Sequence, residues 1–268
     1  MNRTLIEWVK NPDGTQGYTW NPITGCLNHI GGLCKGGGFP CYAYKLAHGR
    51  LRGKYLANSI LPTHDEPNHE EHHTDPFYPR FWPDRLEDIK RGYHYTDRFG
   101  ACEFGAKAKG IFVCDMSDLF GIGIPKQWTK SILSYIKSDP QDRFYLLTKQ
   151  PQNLIKFSPF PDNCWVGVTV CTNGMMTMAL QYLSMIQAKV KYISFEPLLG
   201  MIGMDDHMSM KGIVDWLIIG AQTKPYKPPK IEWVGEIIQS CRQANIPIFL
   251  KNNLQPIIEN ENIIQEIP

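Results

Sequence analysis

The sequence has no long hydrophobic run. One of its most apolar stretches, Val214–Ile219, is interrupted by Asp215, whereas a membrane-spanning helix needs about 20 predominantly apolar residues. Near the start of the chain, Glu7 lies where a secretory signal peptide has its apolar core. From these absences we expect a soluble, cytoplasmic protein that does not bind a membrane.

An excess of charge of one sign is also lacking. Lys and Arg number 28 and Asp and Glu number 26, so the net charge is only +2 over 268 residues. Dedicated nucleic-acid-binding domains are usually far more basic, and the charge therefore neither requires nor excludes such a partner. The apolar share of 43% is typical of a globular protein and excludes a disordered chain.

Short apolar runs alternate with helix-like segments along the C-terminal half. The runs lack polar alternation, which is typical of strands buried on both faces. Strand–helix alternation produces a mostly parallel sheet. We therefore predict an α/β fold, a full or partial (β/α) TIM-like barrel, with a doubly wound open sheet as the alternative. The predicted strands are Thr19–Ile23, Gly110–Cys114, Arg143–Leu147, Cys164–Val170, Lys191–Phe195, Trp216–Ile219 and Ile246–Leu250, and the predicted helices are Tyr42–His48, Gln127–Lys137, Met178–Ile186 and Trp233–Ala244.

Residues 58–108 differ from the rest of the chain. They are rich in Pro, His, acidic and aromatic residues and lack strong periodicity. We interpret them as an irregular or helical insertion, packed over one face of a single domain that spans residues 1–268. Within the insertion, Pro83–Arg91 is predicted to form a helix that turns Leu86 and Ile89 inward.

Three of the eight cysteines, Cys26, Cys34 and Cys41, share one glycine-rich loop after the first predicted strand. Clustered cysteines in a reducing compartment indicate a metal centre or catalysis. The glycines let the backbone fold tightly around a bulky inorganic core. Two centres are compatible with this loop. Three thiolates can bind a four-iron cluster and leave one iron open, whereas the addition of His29 gives a zinc ligand set.

Polar side chains follow most of the predicted strands at the point where each strand ends. Because parallel strands place their carboxyl ends at the same edge, we expect these side chains to converge with the cysteine loop on one site. The aspartates suit a ligand ammonium group, and the lysines suit a carboxylate or a phosphate. The residues are Asp115, Ser117, Asp118, Thr148, Lys149, Thr169, Glu196, Gln222, Thr223, Lys251 and Asn252.

Two segments interleave basic and aromatic residues, Tyr42–Tyr55 and Lys224–Lys230. Such interleaving can bind a nucleic-acid backbone while bases stack on the rings. It is more commonly found on a solvated helix face or in a proline-stiffened loop. The segments therefore indicate a possible DNA or RNA partner without requiring one.

Seven ordered motifs resemble the phage-associated three-Cys-motif family, and this family in turn resembles radical S-adenosylmethionine (SAM) enzymes. The resemblance covers most of the chain outside residues 58–108. The motifs are Thr19–Cys26 with Cys41–Ala43, Ile111–Phe120, Phe144–Pro151, Trp165–Thr169, Ser194–Gly200, Asp215–Gly220 and Phe249–Lys251.

The resemblance implies an activity. Radical SAM enzymes hold a 4Fe-4S cluster after the first strand of a partial barrel. With an electron donor, they cleave SAM to a 5′-deoxyadenosyl radical. The phage association implies a DNA, RNA or nucleotide substrate that is modified or repaired. The resemblance assigns Cys26, Cys34 and Cys41 to the cluster. We expect cofactor contacts at Phe39, Asp115, Ser117, Asp118, Lys149, Thr169 and Glu196, and catalysis or substrate binding at Glu196, Gln222, Lys251 and Asn252.

The chain departs from these families at two points. The gaps between its cysteines are seven and six residues, each four longer than in the compact radical SAM triad. Gln222 stands where the family has a glutamate, so it supplies no carboxylate. The alternative functions are a zinc-stabilised nucleic-acid-binding protein without radical chemistry and a transferase whose cysteines are purely structural.

Overall fold

The computed structural model describes residues 1–62, 69–90, 107–203, 210–259 and 263–268, with the backbone alone at 69–71. Much of the predicted insertion, residues 63–68 and 91–106, lies outside the described residues. The described strands are β1 (Asn2–Arg3), β2 (Tyr18–Trp20), β3 (Ile23–Thr24), β4 (His29–Ile30), β5 (Leu33–Cys34), β6 (Arg80–Phe81), β7 (Gly110–Val113), β8 (Arg143–Thr148), β9 (Cys164–Thr169), β10 (Val190–Phe195), β11 (Trp216–Ile219), β12 (Gln222–Thr223), β13 (Tyr226–Lys227) and β14 (Ile248–Leu250).

Eight strands form one central sheet in the order β1-β2-β7-β8-β9-β10-β11-β14. β1 is antiparallel to β2, and the other pairs in this sheet are parallel. The strands follow one another in chain order, so the sheet lacks the reversal of a doubly wound fold. The predicted α/β class and the mostly parallel sheet are confirmed.

The described strands do not close into a full barrel, because β1 and β14 lie at opposite edges of the sheet and do not pair. The edge of β14 is instead covered by the C-terminal tail. The backbone N–H of Leu250 donates to the carbonyl of Ile264, and that of Glu266 donates to the carbonyl of Ile248. The tail thus satisfies backbone groups that an open edge would leave exposed.

Helices cover one face of the sheet. The longer helices bury apolar residues three or four apart, such as Ile132 with Ile136 and Val234 with Ile237. No described helix is long and apolar enough to cross a membrane. The α-helices are α1 (Tyr42–His48), α2 (Arg52–Leu56), α3 (His69–Thr74), α4 (Lys126–Lys137), α5 (Asn173–Ser184) and α6 (Ile231–Ala244), and the 3₁₀ helices are Pro83–Ile89, Pro151–Phe157 and Asn252–Leu254.

Two predicted elements differ in detail from the structure. The strand predicted over Thr19–Ile23 is split at Asn21-Pro22, because proline has no N–H to donate to a sheet. Its second half, β3, pairs with β6 of the insertion instead. The helix predicted over Pro83–Arg91 is a 3₁₀ helix that ends at Ile89, and it buries Leu86 and Ile89 as predicted.

The other face of the sheet buries aromatic side chains around Trp8. The ring centroids of Phe112 in β7 and Trp216 in β11 lie 5.2 Å and 6.1 Å from that of Trp8. Four strand spacings separate β7 from β11, which is about 19 Å in a flat sheet. Two rings so far apart can contact one tryptophan only if the sheet is strongly curled. The curl gives the sheet a concave interior, and the aromatic cluster fills it.

Gly167 makes room for one ring of this cluster. It pairs with Tyr192 across β9 and β10, and a Cβ at this position would overlap the carbons of the Tyr192 ring. The ring is held in place because its hydroxyl donates a hydrogen bond to the carbonyl of Leu146 at 3.0 Å. Steric overlap with the Tyr192 ring therefore explains why the Trp165–Thr169 motif has a glycine at this position.

Replacing Gly167 with alanine is expected to lower the free energy of unfolding by about 1–3 kcal/mol, because the new methyl group overfills the interior. Gly235→Ala is the matched control, since Gly235 lies on the exposed side of α6 with open space around it. That change is expected to raise the free energy of unfolding by about 0.5–1 kcal/mol. Urea unfolding measures both, and equal effects of the two substitutions would contradict the steric explanation.

Candidate ligand cavity and cysteine loop

The carboxyl ends of the strands surround a cavity of about 1380 Å³. Small-molecule sites usually occupy about 300–1,000 Å³, so this cavity has room for a cofactor together with part of a second ligand. It brings together the predicted site residues Cys26, Cys34, Phe39, Cys41, Asp115, Ser117, Asp118, Lys149, Thr169, Glu196, Gln222 and Lys251.

Asn252 is the predicted site residue that does not line the cavity. Its backbone N–H donates to Glu7 Oε2 at 2.7 Å, and its side-chain oxygen accepts from Gln265 Nε2 at 3.0 Å. Asn252 therefore connects the N-terminal segment with the C-terminal tail. The neighbouring Asn253 contacts the cavity wall instead, where its amide exchanges two hydrogen bonds with the backbone of Ala221.

The cysteine loop is an ordered ribbon of three short strands. β4 and β5 form a hairpin around Gly31 and Gly32, whose φ angles of +54° and +84° suit a type I′ turn. A third segment then pairs with β5, since Leu33 bridges Pro40 and the N–H of Cys34 donates to the carbonyl of Phe39 at 2.9 Å. The residues that make this loop longer than the compact radical SAM triad therefore have a defined conformation.

The alternation of side chains in the ribbon orients two of the three cysteines. Ile30, Leu33 and Pro40 are exposed on one face. Successive side chains point to opposite faces, and the other face consequently presents Cys34 and Cys41 to the cavity. The two cysteines are diagonal neighbours across the ribbon, a relation that corresponds to about 7–8 Å. His29 lies directly opposite Cys34 on this same face.

Cys26 precedes the ribbon and lies on the adjoining cavity wall. Its backbone N–H donates to the carbonyl of Phe77 at 2.9 Å, and its Sγ accepts from the N–H of Asn28 at 3.3 Å. Burial, reinforced by the nearby Asp118, raises the pKa of Cys26 to about 12, so this residue is a protonated thiol at neutral pH. Among the described residues, no three His, Cys, Asp or Glu side chains stand at the distances of a shared metal ion.

Asp118 connects the ends of β7 and β8. Its Oδ2 accepts from Thr148 Oγ1 and from the N–H of Lys149, both at 2.9 Å, and its Oδ1 accepts from the N–H of Phe120 at 3.0 Å. Burial raises the pKa of this carboxyl although these hydrogen bonds oppose the rise. Because its oxygens are occupied, Asp118 positions the Lys149 backbone and is poorly placed to bind a ligand.

The other two polar residues of this segment are engaged to different degrees. The Ser117 hydroxyl donates to the carbonyl of Gly25 at 2.5 Å and so holds the start of the cysteine loop. The Asp115 carboxyl accepts from Asn21 Nδ2 through Oδ1, and the Tyr42 hydroxyl also lies within hydrogen-bonding reach of this carboxyl. Burial raises the pKa of Asp115 although these contacts oppose the rise. Asp115 is half-buried and lines the cavity.

Lys149 packs against the cysteine loop. A Cβ at Gly36 would lie 3.0 Å from Lys149 Cδ, and the ammonium group lies 5.8 Å from the centroid of the Phe39 ring. Burial alone would lower the pKa of Lys149, but the neighbouring thiols and Asp118 outweigh burial and raise it. Lys149 therefore carries a positive charge beside Cys34. Cys171 does not line the cavity and lies behind the loop, 3.1 Å from the position of a Cβ at Gly37.

Thr169 is a buried hydroxyl without a partner. The residue is 1% exposed, and among the described residues its Oγ1 makes no hydrogen bond. Buried polar groups are almost always hydrogen-bonded, and Thr169 lines the cavity. Its hydroxyl is therefore available to a polar group of a bound ligand.

Glu196 is held from two sides. Oε1 forms an ion pair with Lys251 Nζ, and Oε2 accepts from Trp8 Nε1 at 3.0 Å. Gly220 leaves space for the pair, since a Cβ there would lie 2.9 Å from Glu196 Cγ and from Lys251 Cδ. Burial alone would lower the pKa of Lys251, but Glu196 raises it above its ordinary value. Sequence analysis missed Trp8; the only hint was that a buried indole N–H needs an acceptor.

Breaking the Glu196–Lys251 ion pair is expected to be costly. Lys251→Met should lower the free energy of unfolding by about 2–3 kcal/mol at pH 7, because it leaves a carboxylate with little solvent and no cation. Because the pKa of Lys251 is raised, the stabilisation that the ion pair provides should be lost only at pH values above the ordinary pKa of a lysine. As the pH rises from 7, the difference between wild type and variant should therefore persist to about 10.4 and shrink above it.

Lys90→Met is the matched control for Lys251→Met. It removes the Lys90–Glu87 pair, whose side chains are 48% and 50% exposed and 3.4 Å apart. Exposed pairs contribute about 0–1 kcal/mol, so urea unfolding should show a much smaller loss. A double variant with Glu196→Gln should recover part of the stability lost in Lys251→Met. Equal losses for Lys251→Met and Lys90→Met would contradict this account.

The two cavity threonines are expected to respond oppositely to valine. Thr148→Val removes a hydroxyl that donates to Asp118 and accepts from the N–H of Gln150, and should cost about 1–3 kcal/mol. Thr169→Val removes a hydroxyl without a partner, so the free energy of unfolding should stay constant or rise. Urea unfolding of both variants tests this, and a comparable loss for Thr169→Val would show that its hydroxyl has a partner.

No curated protein and no solved structure matches the chain. A family profile described as "Protein of unknown function (DUF5131)" matches residues 3–256. This span contains every residue that lines the cavity, from Thr4 to Lys251. The chain therefore belongs to the DUF5131 family.

Proposed function

We propose that the protein is a radical SAM-like iron–sulfur enzyme that acts on a nucleic acid or nucleotide. The observation that carries the proposal is the convergence of three cysteines and the unpartnered Thr169 hydroxyl on one cavity at the carboxyl ends of a curled parallel sheet. We interpret the sheet as a partial (β/α) barrel, whose chemistry lies at this end. A reducing, cytoplasmic location is part of the proposal.

In this proposal Cys26, Cys34 and Cys41 would hold a 4Fe-4S cluster. Cys34 and Cys41 share one ribbon face, Cys26 lies on the adjoining wall, and each would bind as a thiolate after releasing its proton to solvent. When bound, the cluster and SAM would supply a 5′-deoxyadenosyl radical, with the electron coming from an external donor. The phage-family resemblance supports this assignment independently of the cavity.

The other polar groups would orient SAM. The Asp115 carboxylate suits the amino group, and the Lys149 ammonium suits the carboxylate. The Thr169 hydroxyl would gain the hydrogen bond it lacks. Apolar rings at the cavity floor, among them those of Trp8 and Phe112, would exclude water from a reactive intermediate.

The remaining candidates would act on the substrate. The Glu196–Lys251 pair offers a fixed carboxylate and an ammonium group that can hold or exchange a proton with the substrate. Trp8 fixes the carboxylate through its indole N–H. Gln222 donates its amide to the carbonyl of Pro225 at 2.9 Å and keeps its side-chain oxygen as an acceptor.

A structural zinc site is the second candidate, and the position of His29 favours it. His29 lies opposite Cys34 on the ribbon face, and burial lowers its pKa, which keeps the imidazole neutral as a zinc ligand must be. Its Nδ1 accepts from the N–H of Gly32 at 3.4 Å, which leaves Nε2 for a metal. The protein would then bind nucleic acid without radical chemistry.

Anaerobic reconstitution with iron and sulfide tests the proposal. The wild type should bind about four irons per chain, absorb broadly in the visible region and give a reduced EPR signal that SAM alters. Cys34→Ala should lose the cluster. Cys241→Ala should retain it, because Cys241 is buried in α6 away from the cavity. A colourless wild type that holds a single zinc ion would overturn the radical proposal and support the zinc site.

A further inference from the structure

Basic side chains from two segments far apart in the sequence line the solvent-facing part of the cavity. Lys45 of α1 and Arg50, just after it, come from one segment, and Lys224, from the turn between β12 and β13, comes from the other. All three residues are exposed. The sequence indicated each segment separately, and the fold brings both to one cavity.

These cations are not neutralised by the protein. Across the described ranges, Lys45, Arg50 and Lys224 form no ion pair. The three acidic residues among those that line the cavity lie at the strand ends. Glu196 is paired with Lys251, Asp118 accepts three hydrogen bonds, and Asp115 accepts from Asn21. The cavity is therefore positive where it opens and offers its cations to an anionic ligand.

The basic character continues outside the cavity along the same two segments. Arg52 and Lys54 of α2 extend one of them, and Lys227 of β13 and Lys230 extend the other, all exposed. A mononucleotide has its phosphates at one end only. A polynucleotide repeats its charge along the strand, and a basic track combined with aromatic rings is how proteins hold one.

Tyr42 gives this opening an aromatic platform. Its side chain lines the cavity and is 52% exposed. The hydroxyl donates to the carbonyl of Asp115, which fixes the ring next to the cavity. A fixed, half-exposed ring can stack with any nucleobase. A base in an intact duplex cannot reach the cavity interior, so the nucleotide must be unpaired or flipped out.

We infer that the substrate is an unpaired stretch of nucleic acid, whose phosphates lie on Lys45, Arg50 and Lys224 and one of whose bases enters the cavity beside Tyr42. This inference rests on the proposed function for the reaction but not for the binding. It distinguishes a polymer substrate from a free nucleotide.

Fluorescence anisotropy with single-stranded DNA and RNA oligonucleotides of about 12 residues tests the inference on the full-length protein. The oligonucleotides should bind, and the logarithm of the association constant should fall linearly with the logarithm of the salt concentration. The variant K45Q/R50Q/K224Q should bind at least about tenfold more weakly at low salt. Its salt slope should be smaller by about 2, because each lost phosphate contact removes about 0.7.

The matched control is K126Q/K130Q/K137Q, which removes three positive charges from α4, away from the cavity. It should bind like the wild type. A matching duplex and a mononucleotide should compete at least about tenfold more weakly than the single strand. Equal competition by the mononucleotide, or the same loss of affinity in the control variant, would overturn the inference.

The outcomes separate this inference from the proposed function. If the reconstituted protein shows the cluster and the SAM-dependent EPR change but binds no strand, the inference is wrong and the radical chemistry stands. If the strand binds with the expected salt slope but no cluster forms, the binding inference holds and the radical proposal fails. In K45Q/R50Q/K224Q the cluster spectrum should be unchanged, since none of the three residues is a cluster candidate.

Discussion

The packing of Trp8 inside the curled sheet is the interaction on which the rest of the structure depends. The six strand spacings from β2 to β14 would extend about 29 Å in a flat sheet, and the polar strand ends would form a line instead of a cavity. Rings from β7 and β11 both meet Trp8, so the sheet bends and the strand ends face one another. The same indole also binds Glu196, and core packing therefore positions a cavity side chain directly.

The strand ends contain two kinds of polar residue that look alike in the sequence. Asp118 and Ser117 form hydrogen bonds within the protein. Asp118 holds the end of β8 in place, and Ser117 holds the start of the cysteine loop. Thr169 keeps a hydroxyl that none of the described residues binds, and the Asp115 carboxyl lines the cavity. The first kind fixes the shape of the cavity, and the second kind gives a ligand something to bind. Asp118 and Asp115, three residues apart, thus differ because backbone N–H groups enclose the Asp118 carboxyl, whereas a side-chain amide contacts that of Asp115.

The sequence predicted the parts of the fold that have local signals. Runs without polar alternation marked the central strands, and the convergence of Asp115, Lys149 and Glu196 followed from parallel strands ending at one edge. Whether the sheet closes was not predictable, because the same strand–helix alternation suits an open sheet and a closed barrel. The β4–β5 hairpin had a signal in Gly31-Gly32 that the metal interpretation of the loop obscured. The placement of Arg50 and Lys224 on one cavity had no local signal, because it depends on long-range packing.

The aromatic filling of the sheet interior also limits how molecules enter the cavity. Trp8, Phe112 and their neighbours occupy the concave side and form the cavity floor, and Lys45 and Lys224 line its solvent-facing part. Under the proposed function, a cofactor at the deep polar groups would enter before a strand lies across this part of the cavity and would leave after the strand. Binding would then be ordered, with the cofactor first and the nucleic acid last, and the bound strand would shield the cofactor from solvent.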